Sequence, residues 1–450
     1  MQGPNIVIVG AGFAGVEAAR SLERTLTPGE ARVTLISPTD YQLYLPLLPH
    51  VAAGVVTPQS VAPSLRRILQ RTALVPGGVI GVDPEAKVCV VRKITGELVD
   101  LRYDYLVLTP GSVTRTFDIP GLAEEARGMK TLAQAAYLRD HVIAQLDLAA
   151  ATPDYDEQAA RLQFVVVGGG YAGTETAACL QRLTSAAVKR YHPRIDPGLI
   201  KWHLVDLAPK LLPELGDKLS ASALEMLSKR GVRISLGTSV ASVTKDEVTL
   251  TDGRVLPSRT LVWTAGVAAS PLVDSLGAET VRGRLVAEPD FRVPGLDGVF
   301  ALGDAAAVPD LAKGDGSPCP PTAQHAARQG RHAAKVLAAK LRGEPTLPYR
   351  HRDLGLVVDL GGHDAVSKPL GIGLKGAPAQ LVARGYHLYA LRTGSARFRT
   401  GANWLLNAVA GDDFVRTGFL ADRKGTLRDF ERTDVYLTRD EVAARTRARL

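Results

Sequence analysis

Two stretches of this 450-residue chain can be laid one on the other without a gap: Asn5–Leu22, NIVIVGAGFAGVEAARSL, and Gln163–Leu180, QFVVVGGGYAGTETAACL. Gly10, Gly12 and Gly15 fall on Gly168, Gly170 and Gly173. Phe13 falls on Tyr171, Glu17 on Glu175 and Leu22 on Leu180. Each copy reads as an apolar strand, a G-x-G-x-x-G turn and a helix that begins at once. The three glycines have separate tasks: a tight turn, backbone approach to a pyrophosphate, and close packing of helix on strand. The helix start adds free N–H groups and a positive dipole end, both favourable to phosphate. One such motif is common and says little. Two in register in one chain imply two dinucleotide sites.

Each copy is followed by a second strand. Val33–Ser37 (VTLIS) ends in a serine where a dinucleotide unit usually has an acid, with Asp40 three residues on. Ser37 can hydrogen-bond a ribose, more weakly than a carboxylate does. Trp202–Asp206 (WHLVD) does end in an acid. Asp206 can accept both adenosine ribose hydroxyls and repels a 2′-phosphate, which favours NAD over NADP. It can equally be a capping or surface aspartate.

Other runs punctuate the chain. Tyr41–Gly54, YQLYLPLLPHVAAG, reads as an apolar loop too rich in proline for a helix. Val88–Arg92 and Leu98–Leu101 read as a hairpin, and Tyr105–Thr109 as a buried strand closed by Pro110-Gly111. The chain crosses to a new domain near Asp118–Gly121, and a helix follows from about Leu132 to Leu148. Gly231–Leu236, Glu247–Thr251, Leu261–Gly266, Val299–Asp304 and Leu356–Leu360 read as further strands. Thr322 is a plausible N-cap for a helix running from Gln324 to about Leu341. Near the end, Trp404, Leu405, Ala408 and Val409 would share one helical face, and Thr438 with Glu441 suggests a capping box.

The length allows about three domains. The apolar fraction, 46%, and the charged fraction, 22%, are those of a folded chain. The net charge of +8 suits an anionic membrane surface or an acidic cofactor as readily as plain solvated surface. No helix-turn-helix, zinc-finger or RNA-binding signature accompanies it, so nucleic acid is not an expected partner. Cys89, Cys179 and Cys319 form no C-x-x-C pair, so neither a metal site nor a dithiol redox centre is expected. A first strand close behind Met1 leaves no room for a leader, and no apolar run reaches the ~18 residues of a spanning helix. A cytoplasmic location is therefore expected.

Taken together these segments resemble the two-dinucleotide-binding-domain flavoproteins, and within them the type II NADH:quinone oxidoreductases, over about residues 5–420. The shared stretches are the paired glycine motifs, YLPLLP, YDYLVLTPG, VWTAG, LDGVFALGDAA and PPTAQHA. The last two carry most of the specificity. The resemblance implies an α/β fold of two Rossmann-like domains, glutathione-reductase-like, plus an α-rich C-terminal region. Residues 1–118 and 290–380 would bind FAD, 119–289 NADH, and 381–450 would serve membrane association or dimerisation.

On that pattern Gly10, Gly12 and Gly15, with Phe13 and Ala14 among them, would hold FAD at its pyrophosphate. Ser37 would take the adenosine ribose, and Thr109 and Gly111 would lie near the flavin. Gly303 and Asp304 would meet the ribityl and phosphate groups. Gly168, Gly170, Gly173 and Asp206 would bind NADH, with Ala265 and Gly266 near the nicotinamide. Ala323 and Gln324 would open a helix whose free N–H groups face the charge on the reduced flavin. Glu175 is either a first-turn glutamate favoured by the dipole or, as the resemblance implies, a group near the nicotinamide or quinone that steers NADH or a proton.

The resemblance departs at two places. The family's quinone-site helix usually reads A-Q-x-A-x-Q; here Ala323-Gln324-His325-Ala326-Ala327-Arg328 places an arginine at the second glutamine, with Gln329 beside it. Arg328 suits an acidic or hydroxylated acceptor, or an acidic side chain of the protein. Glu175, Gln324 and Arg328 are the candidate catalytic residues. Asp412-Asp413 stands where the family often has Arg-Asp, which weakens attraction to anionic lipid. The Trp404 face is then membrane anchor or buried packing and homodimer contact; flanking arginines favour peripheral attachment at the inner face of the cell membrane. Two other readings stay open: a soluble NADH-dependent flavin reductase acting on a quinone-like aromatic metabolite, and a non-catalytic NADH-sensing flavoprotein.

Overall fold

Asn5–Val9 and Gln163–Val167 are buried along their whole length, and each lies inside a parallel sheet. Parallel strands are covered on both faces, which is why these runs are continuously apolar. The computed structural model describes residues 3–411, 413–418, 425–431 and 433–448. Asp412 and the start of the charged tail, 421–424, lie outside the described residues.

The first sheet has seven strands in the order Val299–Ala301, Tyr105–Leu108, Asn5–Val9, Arg32–Ser37, Ala73–Asp83, Val88–Lys93 and Leu98–Arg102. Pairing is parallel as far as residues 73–76 and antiparallel beyond. Val299–Ala301 joins this sheet from nearly two hundred residues downstream. The second sheet has five parallel strands: Val232–Leu236, Lys201–Asp206, Gln163–Val167, Thr260–Trp263 and Ala126–Gly128. Between the two, Ser112–Thr114 pairs antiparallel with Val267–Ala269, so both crossings of the chain run side by side. The architecture is α/β, with one mixed and one parallel sheet, both built on parallel central strands, and a helical C-terminal region.

The glycine turns explain how each helix meets its sheet. Gly10 has φ +95° and Gly168 φ +118°, a region closed to most side chains. A Cβ on Gly15 would stand 2.0 Å from the Gly10 carbonyl oxygen, and one on Gly173 1.9 Å from that of Gly168. Helices Phe13–Thr25 and Tyr171–Tyr191 therefore start directly over the ends of their strands.

The expected helix near Leu132 runs Leu132–Ala151 and starts in a capping box of Thr131 with Gln134. The Thr438–Glu441 box also forms, and starts the helix Arg439–Arg447. Two expectations need correction. Tyr41–Gly54 is not all loop: Leu48–Ala52 is a short α-helix, because Pro49 sits in its first turn, where the missing N–H has no partner to lose. Trp404 does not share an open face with Leu405 and Val409. Its indole turns inward and donates to His50 Nδ1 at 3.3 Å, while Leu405, Leu406 and Val409 stay exposed. A buried indole N–H requires an acceptor, and that requirement overrides the simple amphipathic pattern.

Candidate functional site

The carboxyl ends of both sheets' central strands point toward one cleft of about 540 Å³. Its walls come from both halves of the molecule. Gly10, Gly12, Phe13, Ala14 and Ser37 line it from the first unit; Ala172, Trp263, Thr264 and Gly266 line it from the second. Thr109, Gly111, Gly303, Asp304 and Ala323 complete it.

The cleft has the features an elongated, phosphate-bearing ligand requires. Gly12 caps the first helix with no side-chain hydrogen bond, so the N–H groups of the first turn remain available. A Cβ at Gly12 would meet nothing within 4 Å, and the same holds at Gly170, so a ligand can approach each backbone there. Ser37 is buried, and its hydroxyl accepts the Thr39 N–H at 3.2 Å. The Ala323–Leu341 helix begins at Thr322, whose hydroxyl accepts the His325 N–H at 3.3 Å. Ala323 and Ala326 of this helix line the cleft, so its positive end faces the ligand space. Gln329 Oε1 accepts the Gly303 N–H at 2.7 Å and ties the same helix to the turn that carries Asp304.

Lys130, Ser112 and Asp304 form a chain at the cleft wall. Lys130 Nζ donates to Ser112 Oγ at 2.9 Å, and Ser112 Oγ donates to Asp304 Oδ2 at 2.7 Å. Burial lowers the Lys130 ammonium below the usual lysine range, and the nearby Asp304 and Glu431 carboxylates oppose that. Lys130 had no sequence signal, since only the crossing of the chain brings it to Asp304. Thr264 did have one. LTPG at residues 108–111 and WTAG at 263–266 align, extending the repeat beyond the glycine turns. Thr109 Oγ1 donates to the Val9 carbonyl, and Thr264 Oγ1 to the Val167 carbonyl.

Gly168, Gly170, Gly173, Asp206 and Ala265 are not among the residues lining the cleft. The Asp206 carboxylate accepts N–H groups from Gly169 and Ala208, the latter at 2.6 Å, so it is held at the end of its strand next to the glycine turn.

Of the three candidate catalytic residues, Gln324 and Arg328 are brought together and Glu175 has separate partners. Glu175 does not line the cleft; it is buried and accepts the Asp359 N–H at 2.8 Å. Burial raises its carboxyl well above the usual range, and the Asp359 charge adds to this. Burial alone would raise Asp359 too, but His50 beside it at 3.2 Å and donors from Gly361 and Gln380 hold its carboxyl at about 2. The Trp404 indole is a donor only, so His50 Nδ1 accepts and Nε2 carries the proton toward Asp359. Glu17, the counterpart of Glu175 in the repeat, is buried in a different setting, an ion-pair cluster with Arg331 and Arg392. Gln324 and Arg328 are bonded to each other: Arg328 Nη1 donates to Gln324 Oε1 at 2.8 Å and lies 3.2 Å from His351 Nε2. Gln324 Nε2 in turn donates to the Gly355 carbonyl at 2.6 Å.

Residues 4–330 match the family described as pyridine nucleotide-disulphide oxidoreductase. The type II NADH:quinone oxidoreductase Ndh of Mycobacterium tuberculosis is 31% identical, over 98% of this chain and 92% of that protein. A type II NADH:quinone oxidoreductase of Staphylococcus aureus is 29% identical, over 84% of this chain and 93% of its own length. Among solved structures, NDH2 from Plasmodium falciparum in complex with NADH superposes with a TM-score of 0.84 at 19% identity, covering 92% of this chain and 99% of that one. The sulfide:quinone oxidoreductase of Aquifex aeolicus gives a TM-score of 0.68 at 19% identity, over 91% and 96% of the two chains. At these identities the structural likeness speaks for the fold.

Proposed function

The chain belongs to the pyridine nucleotide-disulphide oxidoreductase family and within it to the type II NADH:quinone oxidoreductases, and from that membership we propose that it oxidises NADH through FAD and passes two electrons to a quinone. The observation that carries this reading is the single cleft walled by both glycine-motif units. Ala172, Thr264 and Gly266 of the second unit share its walls with the glycine turn of the first.

When bound in the cleft, FAD would supply the redox chemistry that links hydride donation by NADH to two-electron reduction of the acceptor. The residues present fit it. Gly10, Gly12 and Gly15, with Phe13 and Ala14, would cradle the pyrophosphate; Ser37 would meet the adenosine ribose; Thr109 and Gly111 would stand by the ring; Gly303 and Asp304 would take the ribityl end. The helix that opens at Ala323 and Gln324 stabilises negative charge through its free N–H groups and dipole. Gly168, Gly170, Gly173 and Asp206 hold NADH, with Ala265 and Gly266 beside its nicotinamide. Residues 1–118 and 290–380 thus serve FAD, and 119–289 NADH. Arg328 acts as a positioning residue that clamps Gln324, and Glu175 lies buried close behind the second glycine turn.

The quinone side faces a membrane surface. Among the described residues no helix is long and apolar enough to cross a membrane. The C-terminal helices Ala377–Ala390 and Gly394–Ala410 instead expose Leu381, Tyr389, Phe398, Leu405, Leu406 and Val409, with Arg397 and Arg399 on either side of Phe398. Apolar side chains rimmed by arginine suit peripheral attachment through the headgroup region.

An acceptor panel tests the reading. Menaquinone, ubiquinone and hydroxylated aromatic quinones are offered with NADH and with NADPH. Rapid turnover with a prenyl quinone is expected, with NADH preferred and that preference falling about tenfold in Asp206→Ala. Turnover with hydroxylated aromatic quinones alone would move the protein to soluble metabolism.

A further inference from the structure

Three side chains of different chemistry meet at the foot of the Ala323–Leu341 helix. Asp310, Cys319 and His325 each bring one donor atom within 4.8 Å of the other two. They are separated in sequence, and the fold assembles them. An antiparallel bridge between Pro309 and Pro318 closes the loop, with the Asp310 N–H on the Ser317 carbonyl and the Cys319 N–H on that of Val308. Asp310 and Cys319 thereby lie side by side and buried, and His325 arrives from the first turn of the helix.

The imidazole is arranged as a ligand. Its Nδ1 lies 2.9 Å from the Thr322 hydroxyl, and His351 stacks on its plane with centroids 3.6 Å apart. Its Nε2 is out of solvent and has no hydrogen-bond partner among the described residues. A buried ring nitrogen without a partner is free to take a ligand. One ring nitrogen fixed by a neighbour while the other is presented bare is the pattern of metal-bound histidine. The carboxylate is oriented as well: Asp310 Oδ1 accepts N–H groups of Ala312 at 3.1 Å and Lys313 at 3.4 Å.

We infer that Asp310, Cys319 and His325 form a three-ligand site for a divalent ion of the zinc class. A nitrogen, sulfur and oxygen donor set suits Zn²⁺ or Co²⁺, whereas Ca²⁺ and Mg²⁺ take oxygen alone. An ion at the centre of a triangle with sides no longer than 4.8 Å lies at most about 2.8 Å from each donor. Closing to zinc bonds of about 2.0–2.3 Å needs less than about 1 Å of movement by each ligand. On binding, the Cys319 thiol releases its proton to solvent as the sulfur–metal bond forms, and no electron changes hands. Two anionic ligands and one neutral one leave a dication complex without net charge, which suits a buried site. Local cysteine pairs could not reveal this set, since its members are brought together by the loop. The ion would tie that loop to the start of the helix whose Ala323 and Ala326 line the cleft.

The full-length, flavin-loaded protein is stripped with a chelator, desalted and titrated with Zn²⁺ and separately with Co²⁺. The expected result is one Zn²⁺ retained per chain, with affinity falling about 10- to 100-fold or more in Cys319→Ser, His325→Gln and Asp310→Asn. Co²⁺ should give ligand-field bands at wavelengths beyond the oxidised flavin's. X-ray absorption at the zinc edge of the unmutated protein should show one sulfur neighbour, a readout that needs no variant to fold. No retained metal in protein of full flavin content, a zinc shell without sulfur, or binding unchanged in all three variants would each overturn the site.

Discussion

Thr109 and Thr264 occupy the same place in the two halves of the molecule: each hydroxyl donates to the last carbonyl of the strand before a glycine turn, Thr109 to Val9 at 2.6 Å and Thr264 to Val167 at 2.7 Å. Both line the cleft. Replacing either with valine keeps the shape and removes one of the two hydrogen bonds its carbonyl accepts, the other coming from the same threonine's backbone N–H, at a cost of about 0.5–1.5 kcal/mol. The two variants should fail differently. Thr109→Val is expected to lose flavin during purification. Thr264→Val should keep its flavin and raise the KM for NADH about tenfold. Flavin content and steady-state KM, read side by side, check this; equal effects on both would put the two threonines in one site.

The glycines of the first turn separate binding from folding. A Cβ at Gly12 meets only open space, whereas one at Gly15 would stand 2.0 Å from the Gly10 carbonyl oxygen. Gly12→Val should therefore leave the thermal unfolding of flavin-free protein within a few degrees of the parent, while abolishing FAD uptake. Gly15→Val should lower stability outright, by several kcal/mol, since backbone must move to admit it. Differential scanning calorimetry of stripped protein, with and without added FAD, distinguishes the two.

The buried pair Glu175 and Asp359 makes opposite contributions to the pH dependence of stability. Glu175 has a folded-state pKa above its unfolded value, so its contribution is intact in acid and is lost as pH rises above the ordinary carboxylic-acid range. Asp359 has a folded-state pKa lowered to about 2, so its contribution is present above about 4 and is lost as pH falls toward 2. Glu175→Gln should gain stability relative to the parent with increasing pH. Asp359→Asn should be destabilised at pH 7 and close the gap in acid. Denaturant midpoints from pH 3 to 9 report both slopes, and parallel curves for parent and variants would refute the assignment.

The exposed C-terminal face should carry membrane attachment and nothing else. Val409 is 80% exposed and Leu405 66%, and neither lines the cleft. Each large aliphatic side chain withdrawn from water is worth about 1.5–3 kcal/mol. Leu405→Glu combined with Val409→Glu is predicted to reduce flotation with anionic liposomes at least about tenfold. Turnover with a water-soluble short-chain quinone should not change. Undiminished flotation would place the contact elsewhere.

What could be read from the sequence follows from where the physics is local. The glycine turns, the parallel central strands of the two sheets and the Thr322 cap rest on apolar runs and spacings within a few residues, and all stand in the structure. The Leu48–Ala52 helix was hidden by prolines that a first turn tolerates. Trp404 was misplaced because a 3.6-residue pattern weighs its apolar body and not its N–H, which His50 satisfies. For Arg328 the sequence leaves open an acidic or hydroxylated acceptor or an acidic side chain of the protein; in the structure it meets Gln324 on its own helix and His351 on a distant loop. Lys130 and the Asp310–Cys319–His325 corner exist only once the chain has crossed between sheets or closed a loop.

The central claim is that this one chain brings a nicotinamide to a flavin and passes the electrons to a quinone. Anaerobic stopped-flow mixing of the purified protein with NADH, followed by a short-chain quinone, tests it most directly. The account predicts yellow protein with about one FAD per chain, bleached by NADH and recoloured by quinone at a rate no slower than turnover. Colourless protein that takes up no FAD would contradict it, as would slow bleaching to a stable long-wavelength band that quinone does not discharge.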